Sequence, residues 1–156
     1  MQGAQHTTTV EVADIAALLP LRQRVLRPGR APETCHFDGD ERATHIVLKR
    51  GSEVIGITTW LQNPHPNGHR GDWWQLRGMA VAPERHGEGV GRALLNGAVA
   101  HLRSQGHFRL WCNSRCSAQG FYERCGWSVV SEEFTIPLVG PHVVMQWGDS
   151  RANLHG

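Results

Sequence analysis

The sequence predicts an α/β fold, a mixed β-sheet with helices on its faces, and three observations carry that expectation. β-prone and helical runs succeed one another in the order βαβββαβαββ. Val90, Leu94, Ala98 and Leu102 recur at helical spacing, and Leu95 and Val99 widen them to a core-facing stripe. A β-prone run stands on each side of that helix, which implies a parallel strand pair joined by a right-handed crossover.

Taken in order, Thr7 to Val12 alternates like a first strand, and Asp14 stands where a helix N-cap would. Ile15, Leu18, Leu19, Leu21 and Val25 give the following helix its apolar face; Pro20 kinks or splits it, and Pro28-Gly29 ends it. From Arg30 to Ala43 the chain is polar and irregular, with Asp38, Asp40 and Glu41 close together. This loop reads either as a solvated acidic turn or as the lip of a pocket suited to a positively charged amine. Thr44 to Lys49 and Val54 to Leu61 form a hairpin around Arg50-Gly51-Ser52-Glu53. The Pro-, Gly- and Asn-rich stretch 62–72 reads as a surface loop, and Trp73 to Val81 as one strand.

Gly106 closes the long helix as its C′ residue, and Phe108 to Cys112 is the next strand. Asn113 to Ala118 reads as a turn, with Ser117 capping a short helix from Gln119 to Arg124 that stops at Gly126. Trp127 to Phe134 and His142 to Trp147 are the closing strands, separated by a turn at Gly140-Pro141, and residues 149–156 read as a tail.

At 156 residues the chain fits one domain, 1–156, large enough to bury roughly 70% of the surface its unfolded form exposes. Lysine plus arginine, 16, nearly balances aspartate plus glutamate, 14, so charge offers no case for nucleic acid. No apolar run approaches the ~18 residues of a membrane span. The first residues carry no apolar segment of the signal-peptide kind, so a cytoplasmic protein with free thiols is expected. No histidine or cysteine pair has the spacing of a zinc site, and no metal is expected.

The chemical centre of the chain is Leu76 to Leu95, LRGMAVAPERHGEGVGRALL. A short strand meets Pro83, and Gly87, Gly89 and Gly91 then crowd the start of the long helix. A helix start carries free N–H groups and the positive end of the macrodipole, so its natural guest is an anion, most often a phosphate. A dinucleotide fingerprint would need glycine where Arg92 stands, and a P-loop would need a G-K-[ST] ending that is absent.

What this segment resembles is the pyrophosphate signature of the GNAT superfamily of acyl-CoA N-acyltransferases, [QR]-x-x-G-x-[GA], here at His86, Gly89 and Gly91. His86 replaces the usual Gln or Arg, a position that chiefly offers its backbone N–H, and Arg85 stands ready to supply charge. About thirty residues on, LWCNSRCSAQGFYERCGW resembles the second GNAT signature, with Asn113, Ala118, Phe121, Tyr122, Gly126 and Trp127 matching it in turn. Together these cover most of residues 44 to 147 and look closest to small bacterial members similar to the ElaA family.

The resemblance implies a GNAT-type fold with a splayed parallel strand pair, and acetyl-CoA as cosubstrate. It places the coenzyme against the backbone of Met79, Ala80 and Val81, and against the turn of His86, Gly87, Glu88, Gly89, Val90, Gly91 and Arg92. Asn113, Ala118 and Phe121 would contact it from the second motif. Tyr122 would be the catalytic group at the thioester sulfur, and the acceptor a primary amine of a small molecule or peptide.

The base that takes the amine's proton stays open among Glu132, Glu133, Asp72, His142 and the Asp38 to Glu41 cluster. Cys112 and Cys116 lie near the site as candidate thiols. A homodimer also stays open, as does a different reading, a non-catalytic acyl-CoA-binding sensor or interaction module.

Overall fold

β1 (Thr8–Ala13) opens the part of the chain that the structure, a computed structural model, describes, residues 7–148. The expected tail, 149–156, lies outside those residues. Two units divide the chain: one runs up to Leu61 and resumes over Gly78–His101, and the other takes Gln62–Arg77 and the residues from Leu102 onward.

In the first unit β1 pairs antiparallel with β2 (Thr44–Arg50), and β2 with β3 (Glu53–Gln62), across the expected hairpin. Gly51 takes φ 63° in its two-residue turn, the left-handed geometry such turns require. α1 (Ile15–Leu21) follows Asp14, whose extended backbone suits an N-cap although its side chain makes no capping hydrogen bond. Pro20 sits inside α1 and has no N–H to donate, and beyond it the helix widens into a π-helical stretch, Arg22–Leu26, closed by Arg27 N–H bonding the Arg22 carbonyl at 3.0 Å.

β4 (Trp73–Leu76) and β5 (Ala80–Val81) are separate where the sequence reads as one strand. The break falls at Gly78, whose φ of 77° cannot continue a strand. β5 pairs with β3 through Gly56↔Val81 and Ile57↔Ala80. α2 (Val90–Ser104) follows the glycine turn and buries Leu94, Leu95, Ala98 and Leu102 almost completely. Each such leucine contributes about 1.5 to 3 kcal/mol of burial free energy. It ends at Gly106 in a Schellman motif, with His107 N–H on the Leu102 carbonyl and Gly106 N–H on that of Arg103. The first unit's core joins Leu18, Leu48, Ile55, Ile57, Val90 and Leu94.

In the second unit β4 runs parallel to β6 (Arg109–Arg115), from Trp73↔Arg109 to Leu76↔Cys112, where the register ends. β6 pairs antiparallel with β9 (Gly140–Trp147), which also carries β7 (Trp127–Val129) and β8 (Phe134–Ile136). The expected strand from Trp127 to Phe134 is therefore two, because β7 and β8 take different ends of β9. The last turn falls at 137–139, and Gly140 and Pro141 begin β9 instead of making it. α3 (Gln119–Arg124) has Ala118, not Ser117, at its N-cap and follows a 3-10 turn, Cys116–Ala118. The fold is thus a mixed α/β one, in which β4/β6 is parallel while β1/β2, β2/β3, β3/β5 and the three pairings of β9 are antiparallel.

The stretch 62–72 is not wholly at the surface. His65 is buried, donates from Nε2 to Gln146 Oε1 at 2.9 Å, and accepts the Asn67 N–H on Nδ1 at 3.0 Å. Its ring lies 4.5 Å from that of Trp73, centre to centre. Burial lowers its pKa below the usual imidazole value, and burial does the same to His45 in the first unit. Both histidines are held neutral, so the stability they confer is complete above the unfolded-state pKa near 6.5 and drains away as pH falls below it. Urea unfolding midpoints are expected to drop between about pH 7.5 and about pH 5. A flat profile over that window would contradict the neutral assignment.

Candidate active site

The first unit holds the glycine turn. Ala82 N–H bonds the Ile55 carbonyl at 2.8 Å, and Pro83–Arg85 forms one 3-10 turn. The chain then reverses through Gly87 and Gly89, with φ 86° and 78°. The Gly89 carbonyl accepts Ala93 N–H at 3.1 Å and so starts the ladder of α2, which leaves Val90, Gly91 and Arg92 with the helix's N-terminal donors. No acidic residue occupies that first turn. Val90 points into the core, whereas His86, Glu88 and Arg92 lie toward solvent.

Glu88 is the one anion inside the turn, and two cations face it: Arg50 and Arg85 each come within 3.7 Å of Oε1. Arg85 also meets Glu53 at 3.6 Å. The Ala80 side chain is part of the core, and the partly buried Met79 and Val81 side chains pack against it.

In the acidic loop Asp38 and Glu41 are exposed, as in a solvated acidic turn, and Asp40 departs from that expectation. Asp40 is buried and binds Arg22 through two oxygens, at 2.7 and 3.1 Å. Arg22 is fully buried and also donates to the Cys35 carbonyl at 3.0 Å and to Thr59 Oγ1 at 2.7 Å. Thr59 in turn donates to His45 Nδ1, and His45 Nε2–H reaches the Asp40 carbonyl at 3.1 Å, which closes the ring of bonds. Arg22 Nε is the member left without a partner among the described residues. Burial pushes the Asp40 carboxyl up, but the Arg22 and Phe37 hydrogen bonds outweigh it and hold it below the usual carboxylate range. An anion so committed cannot act as a base for an amine, which removes Asp40 from the candidates.

The second unit holds the second motif. Asn113 lies on β6 opposite Val144, on a strand where the sequence suggests a turn, and its side chain is exposed. Ala118 caps α3, and Phe121 and Tyr122 project from it with ring centres 5.3 Å apart. Trp127 packs edge-on against Tyr122 at 5.5 Å. The Tyr122 hydroxyl is hydrogen-bonded to the Cys112 thiol, a partner that no sequence spacing announced.

Burial raises the Tyr122 pKa above the ordinary phenol value, with Cys112 and Cys125 adding to it. Burial likewise pushes the Cys112 thiol up, against the Tyr122 hydrogen bond, and the Cys116 thiol is raised by burial and by Glu133. Both thiols stay protonated at neutral pH, which argues against either as nucleophile. Of the remaining base candidates, Glu133 accepts from Cys116 Sγ at 3.6 Å, and His142 Nδ1 meets the Gly140 carbonyl at 2.8 Å.

Residues 14–127 match the Acetyltransferase (GNAT) family, and the chain belongs to it. It is 29% identical over 138 residues to the uncharacterized N-acetyltransferase YitI of Bacillus subtilis (strain 168), covering 87% of this chain and 93% of YitI.

Among solved structures it is similar to a Lactobacillus plantarum protein described as an N-acetyltransferase, with TM-score 0.73 and 22% identity, over 90% of this chain and 97% of that one. It is also similar to Escherichia coli ElaA, with TM-score 0.71 and 18% identity, over 90% and 99%. These likenesses bear out the GNAT fold and the ElaA resemblance.

Proposed function

We propose that this chain moves the acetyl group of acetyl-CoA to a primary amine of a small molecule or peptide by direct attack. The observation that carries the reading is Tyr122 of the second motif, half-buried on α3 with its ring packed against Phe121 and Trp127. Family membership over 14–127 supports it, since that span includes both motifs and parts of both units, which we read as one domain of a cytoplasmic protein.

In this reading the coenzyme's pyrophosphate lies against the backbone from His86 to Arg92, while Asn113, Ala118 and Phe121 take its arm. The uncharged amine attacks the thioester carbonyl carbon, and a C–N bond forms as an electron pair moves onto oxygen. A backbone N–H of Met79 to Val81 meets that oxyanion. The pair returns, the C–S bond breaks, and the amine's proton passes to a base or water.

Tyr122 donates a hydrogen bond to the departing thiolate. Full proton transfer from an unperturbed phenol to a thiolate would cost about 2 kcal/mol, and burial of Tyr122 adds to that cost. The thiolate therefore takes its proton from solvent.

The proposal is tested by mixing the protein with acetyl-CoA and a broad amine panel and following free thiol. If none of the amines releases thiol while acetyl-CoA still stabilises the protein thermally, the proposal sinks, and the behaviour is that of an acyl-CoA-binding sensor. Glu88 gives a second test. Its charge opposes a phosphate, and Glu88→Gln should tighten acetyl-CoA about two- to fivefold at low salt. His86→Ala should leave the affinity within about twofold, because the backbone N–H remains. Weaker binding by Glu88→Gln in calorimetry would put the pyrophosphate elsewhere.

A further inference from the structure

Phe37 has no part in the mechanism above, yet it is held more firmly than a loop residue needs to be. The Arg22 guanidinium lies 3.7 Å over its ring centre, and that of Arg27 lies at 5.2 Å. Its backbone N–H donates to Asp40 Oδ2 at 2.6 Å, so one carboxylate fixes both the Phe37 backbone and the cation on its ring. Arg22 itself opens the π-helical stretch, a widening that turns a helix face out of its ordinary register.

The ring edge reaches the break between β4 and β5. A Cβ placed on Gly78 would lie 2.5 Å from Phe37 Cε2 and 3.2 Å from Cζ, so the ring fills the space a side chain would need. Gly78 also takes φ 77°, a conformation that L side chains rarely adopt. The residue after it is Met79, whose backbone begins the stretch assigned to the carbonyl oxygen.

We infer that Phe37 is a positioning residue for acyl transfer: a wedge, locked by Arg22 and Asp40, that sets the Gly78-Met79 backbone and with it the N–H group that meets the oxyanion. This rests on the acetyl-transfer reading. The wedge acts on the transition state and not on the coenzyme, because an oxyanion donor is needed only once charge develops on oxygen. A donor displaced by a fraction of an ångström loses rate while ground-state binding persists.

The test uses the full chain. Phe37→Leu keeps apolar volume but loses the flat edge and the cation-binding face. Its kcat is expected to fall about tenfold or more, with KM for acetyl-CoA unchanged. Gly78→Ala should also lose rate, and the two losses should be non-additive in a double-mutant cycle, because each disturbs the same contact.

A folded Phe37→Leu with wild-type kcat overturns the inference. So does a proportional loss of kcat and coenzyme affinity, which is the mark of a structural role. A measurement that needs no turnover separates this inference from the reading beneath it. In the free protein, the Met79 and Ala80 amides should exchange about tenfold faster with solvent in Phe37→Leu, because the wedge no longer holds that backbone closed, and unchanged exchange overturns the wedge. If the wild-type chain transfers acetyl to no amine, the acetyl-transfer reading fails, and the amide exchange still decides whether Phe37 sets this backbone.

Discussion

Asp40→Asn is expected to destabilise the fold by about 3 to 5 kcal/mol, because it leaves the Arg22 guanidinium buried with no countercharge. Arg22 has no exposed surface through which to recover hydration. Its other partners, the Cys35 carbonyl and the Thr59 hydroxyl, are dipoles and cannot neutralise it. In a chain of this size the loss corresponds to a melting temperature roughly 10 °C lower or more.

Removing the pair together, as Arg22→Met with Asp40→Leu, should recover much of that loss, since a buried ion pair replaced by apolar residues is often close to neutral. Urea unfolding of wild type, Asp40→Asn and the double variant decides the matter. If Asp40→Asn costs less than about 1 kcal/mol, the surface-pair magnitude, then Arg22 is hydrated in solution and the network is not sealed.

Tyr122→Phe is expected to lower kcat about a hundredfold, the lower end of what a positioned proton or hydrogen-bond donor contributes, while acetyl-CoA affinity stays within about twofold. The phenylalanine keeps the ring packing with Phe121 and Trp127 and removes only the hydroxyl. The lost bond to Cys112 is to a weak sulfur acceptor, so stability should barely change. Stopped-flow thiol release and calorimetric titration together make the measurement. Equal losses of rate and affinity would make Tyr122 a packing residue and leave the leaving group without a donor.

Much of the architecture is legible in the sequence because local periodicity sets it. The hairpin of β2 and β3 and the full length of α2 follow from alternation, from stripe spacing and from their terminal glycines. The elements that depart from expectation are those whose limits are set by a partner far away in sequence. β6 runs on through Asn113 and Ser114 because β9 is there to pair with them. Trp127 to Phe134 divides because β9 is shared between two short strands.

Gly78 is visible as a glycine inside a β run, a known sign of interruption, although no local pattern announces its positive φ. Of the candidate site, the turn and Tyr122 can be read because motif spacing is local. The Arg22–Asp40 pair cannot, since its members stand 18 residues apart and neither residue type suggests burial. Cys112 can be placed near the site, yet its bond to Tyr122 depends on α3 folding back to β6.

The stretch 62–72 bears on which changes of length this chain can absorb during divergence. Its composition is that of a segment where insertions and deletions accumulate freely, because solvated backbone has little to lose. His65, joined to Gln146 across 81 positions of sequence, makes it instead a bolt within the second unit. A lineage that shortened it past His65 would open a void beside Trp73 and Trp111 and strand the Gln146 amide, so any change of length there would have to spare that one imidazole.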